Sequence, residues 1–154
     1  MKSIQQWLDE YGVSHQNVTN KTIHWICVPL IFFSVIGLLY SVQFPVMLGP
    51  MHLNLALIVL AFVTVYYFIL SKSLSVGMLL FSVVCIGLCF EIQALTTTPL
   101  WAISIGIFVL AWIGQFYGHQ VEGKKPSFLK DLQYLMIGPA WLMSFIYKRL
   151  GISL

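Results

Sequence analysis

With 154 residues, 59% of them hydrophobic, only 8% charged and a mean hydropathy of +0.89, the chain departs from a globular domain, in which about a quarter of residues are charged. No soluble domain this short hides that much apolar side chain, so the composition excludes a water-soluble fold and predicts a single all-α membrane domain over residues 1–154. The net charge of +3 does not signal nucleic acid, because the bases flank apolar stretches, where they orient a chain in a bilayer.

In chain order, Ile4, Trp7, Leu8 and Tyr11 recur at helical spacing among polar neighbours. That is the pattern of an amphipathic helix at a membrane surface, not of a cleaved signal peptide. The segment from His15 to Asn20 is polar and turn-prone, with Asn20 positioned to cap a helix that starts near Lys21. Apolar stretches then run from Trp25 to Val42, Met51 to Leu70, Leu74 to Leu95 and Pro99 to Gly118. Each is close to the about 20 residues that a hydrocarbon core about 30 Å thick requires, which predicts a multi-pass bundle of four spanning helices. A fifth stretch, Leu132 to Tyr147, is shorter and carries Gly138-Pro139 in its middle; it reads as a re-entrant or interfacial helix.

With four crossings, Lys2, Lys21, Lys72, Lys124, Lys125, Lys130, Lys148 and Arg149 all fall on one side. Cytoplasmic loops are enriched in such residues, so both termini are expected in the cytoplasm, at the inner membrane of a bacterium or the endoplasmic reticulum of a eukaryote. Cys27, Cys85 and Cys89 lie in apolar stretches and read as packing residues, not as a disulfide framework. Gly114 and Gly118 fit close helix packing, while Trp7, Trp25, Trp101 and Trp141 read as interfacial anchors. No residue pattern marks an oligomer, although a homo-oligomer is compatible with the chain.

The same topology sorts the histidines. His15 and His24 precede the first span and His119 closes the fourth, which puts all three at the cytoplasmic face, with His52 opposite. Polar rings gathered at one end of an apolar bundle call for a partner. His119 and Glu122 are three apart and share a face if the helix continues. Imidazole and carboxylate together suit a divalent metal, but a plain hydrogen bond at a helix end explains that pair equally well. Glu91 needs a partner, and His52 is the natural one, either as a structural pair or as a proton path through a small transporter. There is no Gly-rich phosphate loop, nucleophile elbow, His-Glu-x-x-His helix or Cys-x-x-Cys.

Tyr11, His15, Asn17, Asn20, His24 and Pro29, followed by Gln115-Phe116-Tyr117-Gly118-His119, Glu122, Pro126 and Gly138-Pro139, form a pattern that resembles the iron(II)-dependent 2-hydroxy-fatty-acid dioxygenase family. The resemblance runs over nearly the whole chain. It implies that dioxygen cleaves the bond between the first two carbons of a 2-hydroxy fatty acid, leaving a fatty acid one carbon shorter. It implies iron(II) as cofactor, His15, His24 and His119 as catalytic metal ligands with Glu122 as a fourth, and Asn20 and Gln115 as supports behind them. Lys21, Lys124 or Lys125 would meet the substrate carboxylate, its chain lying among apolar helices. The chain departs from the eukaryotic pattern at Gln16 and Val18 and between His119 and Pro126, which bears on the role of Glu122. The alternative from another class is a non-catalytic zinc- or lipid-binding membrane protein, whose metal would be closed off by four protein ligands.

Overall fold

The computed structural model describes residues 2–123 and 134–154. Lys124, Lys125, Pro126 and Lys130 therefore lie outside the described residues, as does the start of the fifth apolar stretch. The described residues form six helices and one two-stranded antiparallel sheet.

Helix α1 covers Ile4–Gly12 and is opened by a capping box, in which the Ser3 hydroxyl accepts from the Gln6 amide while the Gln6 side chain accepts from the Ser3 amide. The amphipathic pattern yields the expected helix, but its apolar face is covered by protein: Trp7 and Tyr11 meet Tyr134 edge-on, and Tyr11 also meets Trp141. Helix α2 covers Val18–Tyr40 and is capped by Asn17, whose side-chain oxygen accepts from the amides of Thr19 and Asn20. The cap thus falls three residues before the predicted Asn20, because Asn17 already satisfies the orphan amides of the first turn. That frees the Asn20 side chain for another use.

An unpredicted hairpin follows, with β1 over Gln43–Leu48 and β2 over Met51–Asn54. Gly49 makes its turn at φ 61°, a left-handed conformation that favours glycine. Pro45 brings no amide hydrogen to the ladder, and the register shifts between Gln43 and Met47. Helix α3, Leu55–Leu70, starts at the Asn54 cap, not at Met51, so it has 16 residues. Helix α4 covers Lys72–Leu95 with Ser71 as its cap, and α5 covers Leu100–Val121.

Three of the four predicted spans, α2, α4 and α5, are long and apolar enough to cross a membrane. At about 1.5 Å per residue α3 is about 24 Å long, short of a hydrocarbon core about 30 Å thick. Phe62, Phe68, Leu80, Val84, Leu110 and Ile113 are among many large apolar side chains left exposed on α3, α4 and α5. Exposed apolar surface on that scale suits lipid, not water. Helix α6, Ile137–Leu150, has 14 residues and begins almost at Gly138-Pro139, so the proline sits in the first turn, where its missing amide costs no helical bond. Its first half is buried, including Trp141, which packs inside instead of anchoring the chain at an interface.

Among the described residues, α2 and α5 make the most extensive helix pairing. A Cβ on Gly114 would overlap the Cys27 thiol, and one on Gly118 would overlap the Asn20 side-chain oxygen. The small-residue spacing on α5 is therefore a backbone approach to α2, as the sequence predicts. The three cysteines are free, with Cys85 and Cys89 buried. His52 lies on β2 and Glu91 is exposed on α4, and among the described residues no hydrogen bond or ion pair joins them. The predicted pair is not formed.

Candidate metal centre

The antiparallel contact of α2 with α5 puts the first turns of one beside the last turns of the other. His24 and His119 consequently face each other with ring centroids 5.2 Å apart. The turn after α1, held by the His15 amide donating to the Gly12 carbonyl, folds His15 back over both, 4.2 Å from His24 and 5.6 Å from His119. All three are at least 95% buried. One nitrogen of each lies within 4.8 Å of those of the other two, close enough for small ring rotations to bring all three onto a single ion.

Two of the rings have a defined tautomer. The Nδ1 of His15 lies 2.6 Å from the Tyr11 carbonyl, and the Nδ1 of His24 lies 2.9 Å from the Asn20 carbonyl. A carbonyl can only accept, so in the neutral ring Nδ1 carries the hydrogen and Nε2 presents its lone pair. This is how metal-binding imidazoles are normally prepared. Both pairs have the four-residue spacing of a helix turn. Tyr11 also stacks on His15, with centroids 4.2 Å apart and planes 12° from parallel, and Trp141 flanks the same ring.

Glu122, the C-cap of α5, stands outside the group of nitrogens and faces the start of α2. One carboxylate oxygen accepts from the Gln16 amide at 2.9 Å; the other accepts from the Asn17 amide at 2.8 Å and from the Asn20 side chain at 3.0 Å. Burial alone would raise its pKa, but the Asn17 and Gln16 amides and the Asn20 side chain outweigh that and hold the carboxyl below the usual glutamate value. Asn20 is fully buried, and its amide also donates to the Ser14 carbonyl.

Gln115 is buried one turn before His119 and lines a cavity of about 30 Å³ with Tyr11, Trp112 and Pro139. Among the described residues no hydrogen bond joins it to a histidine, so the tautomers rest on backbone carbonyls, not on its side chain. Lys21 borders a hollow of about 270 Å³ together with His15, Val13 and Phe145. This hollow shares Leu8, Asp9, Trp141 and Phe145 with a larger one of about 600 Å³ that follows the α1–α6 seam toward Ile152 and Leu154. Lys124 and Lys125 fall outside the described residues.

Sequence reasoning passed over the two carbonyls that orient the rings, the indole of Trp141 beside His15, and the Gln16 and Asn17 amides. The spacing of four between Tyr11 and His15, and again between Asn20 and His24, was the available signal for the first of these.

The family model described as "2-hydroxy-palmitic acid dioxygenase Mpo1-like" matches residues 1–150. A curated relative from Saccharomyces cerevisiae, named 2-hydroxy-palmitic acid dioxygenase, is 29% identical over 150 residues, covering 94% of this chain and 80% of its own. No solved structure matches.

Proposed function

Because this chain belongs to the Mpo1-like family, we propose that it is a membrane-embedded, non-haem iron(II) dioxygenase that shortens 2-hydroxy fatty acids by one carbon. The observation that carries the reading is the convergence of three buried imidazoles, two with Nδ1 bonded to a backbone carbonyl so that Nε2 carries the ring's lone pair. Imidazole donors suit iron among other first-row metals. His15, His24 and His119 would hold the ion, leaving coordination positions open. Bound iron(II) supplies the one-electron chemistry that dioxygen requires. Cleavage between the first two carbons balances without an external reductant: 2-hydroxy acid plus dioxygen gives the shorter acid, carbon dioxide and water.

The chain's own residues account for the rest. Lys21, at the His15 end of the hollow, would take the substrate carboxylate, and the apolar side chains of Leu8, Trp141 and Phe145 would cover the start of the acyl chain. Lys124 and Lys125 are further candidates for the carboxylate. If α3 completes a fourth crossing, the one-sided Lys and Arg distribution supports cytoplasmic termini, in the inner membrane of a bacterium or the endoplasmic reticulum of a eukaryote. A closed zinc site would need a fourth protein ligand, and Glu122 is turned to amide donors instead.

The test is oxygen uptake by purified, iron-loaded protein given 2-hydroxypalmitate, with mass spectrometry of the product. A fifteen-carbon acid and carbon dioxide in equal amounts are expected. Absence of turnover on every chain length tried would overturn the assignment.

A further inference from the structure

We infer that Glu122 is a positioning residue, not a metal ligand: its carboxylate clasps the three histidine-bearing segments into one site. This rests on the metal-centre reading above and assigns Glu122 a role different from the fourth ligand that the sequence resemblance implies.

The geometry closes on itself. Glu122 lies one turn beyond His119 on the same helix, so its backbone moves with that ring. Its carboxylate holds the Gln16 amide, immediately after His15, and the Asn17 amide, which is the cap of α2. It also holds the Asn20 side chain, and the Asn20 carbonyl bonds the Nδ1 of His24. One anion thus reaches His15 through Gln16, His24 through Asn20, and His119 through the helix turn that they share.

Chemistry favours this use of the group. The exposed amides at a helix start carry partial positive charge, and a carboxylate among them makes charge-assisted hydrogen bonds. Three such donors engage both oxygens, and to reach the metal Glu122 would have to abandon them. Gly118 completes the device, because any larger residue there would push Asn20 off the α5 backbone and away from Glu122.

The experiment compares cobalt(II) binding by wild type, Glu122→Ala, Glu122→Gln and His119→Ala, using the cobalt absorption spectrum as a record of the ligand set. Tyr147→Phe, altered at the α4–α6 contact, serves as a control for general loss of stability. Glu122→Ala is expected to weaken binding by about 10- to 100-fold, the usual cost of losing a ligand's support, yet to reach the wild-type spectrum at saturation. Glu122→Gln, which keeps one acceptor oxygen, should fall between the two. Tyr147→Phe should bind as wild type does, and His119→Ala should change the saturated spectrum. A spectral change in Glu122→Ala like that of His119→Ala would make Glu122 a ligand and overturn the inference, as would undiminished affinity.

If wild type binds no cobalt, the metal reading fails by itself, and hydrogen exchange at the Gln16 and Asn17 amides decides the clasp. Faster exchange in Glu122→Ala supports it; unchanged exchange overturns it.

Discussion

Replacing Gly118 by alanine tests the packing that brings α2 and α5 together at the histidines. The added methyl would overlap the Asn20 side-chain oxygen and come within 3.4 Å of the Ile23 Cγ2. Asn20 is fully buried where the first turn of α2 meets α5, so relief requires the helices to separate or the Asn20 side chain to rotate. Overpacking of this kind costs about 1–3 kcal/mol. Rotation would also forfeit the Asn20 bond to Glu122, and a hydrogen bond to a charged group contributes about 1.5–3 kcal/mol. Alanine returns about 1 kcal/mol through its better helix propensity. With that rotation the net expectation is a loss of about 1.5–5 kcal/mol, with metal affinity reduced about 10-fold or more.

The control is Gly106→Ala on the same helix, where a Cβ meets nothing within 4 Å. It should be neutral or gain a few tenths of a kcal/mol up to about 1. Thermal unfolding in detergent and a metal titration read both variants. If Gly118→Ala proves as stable as Gly106→Ala and binds metal like wild type, the close approach of α2 to α5 does not shape the site.

Other outcomes follow from the same contacts. The Tyr147 hydroxyl accepts from the Gly77 amide at 3.0 Å and donates to the Ser73 carbonyl at 2.7 Å, inserting itself into the α4 ladder. Tyr147→Phe lets those two groups bond directly again, so it should cost only about 1 kcal/mol in thermal unfolding; a loss above about 3 would refute the insertion. The Glu122 carboxyl has a folded pKa below its unfolded value, so its contribution is complete above pH 4.5, the ordinary value, and is lost as pH falls through the depressed one. In metal-free protein the stability advantage of wild type over Glu122→Gln should shrink below that pH and vanish in stronger acid; a difference constant with pH would refute the clasp as an ionised group. Bulk at Ser144, which borders the larger α1–α6 hollow, should shift turnover toward shorter acids without changing metal content. An unaltered chain-length profile in Ser144→Trp would take the acyl chain out of that seam.

Much of the architecture was legible from periodicity and hydropathy alone. The four-residue rhythm of Ile4, Trp7, Leu8 and Tyr11 gave α1, and the long apolar runs gave α2, α4 and α5. The histidines could be grouped before any coordinates, because their positions at helix ends and the one-sided bases leave His52 apart. The hairpin was not legible: Met51 to Asn54 runs without a break into an apolar helix, and only the Gly49-Pro50 turn and the Asn54 cap separate them. Trp141 reads as an anchor by composition, while its burial is decided by Tyr11 and His15 on distant segments. Glu122 shows the limit most clearly. Its spacing from His119 promises a shared face, but its partners are amides 105 and 106 residues away, and backbone donors leave no mark in a sequence.

On the proposed reading, His15, His24 and His119 together hold the iron of a 2-hydroxy fatty acid dioxygenase. The most direct test is iron content and 2-hydroxypalmitate turnover measured side by side in wild type and the three single alanine variants. Wild type should carry about one iron per chain, with iron and turnover lost together in each variant. Full iron retention in all three variants, or iron-loaded wild type that leaves every 2-hydroxy acid untouched, would contradict it.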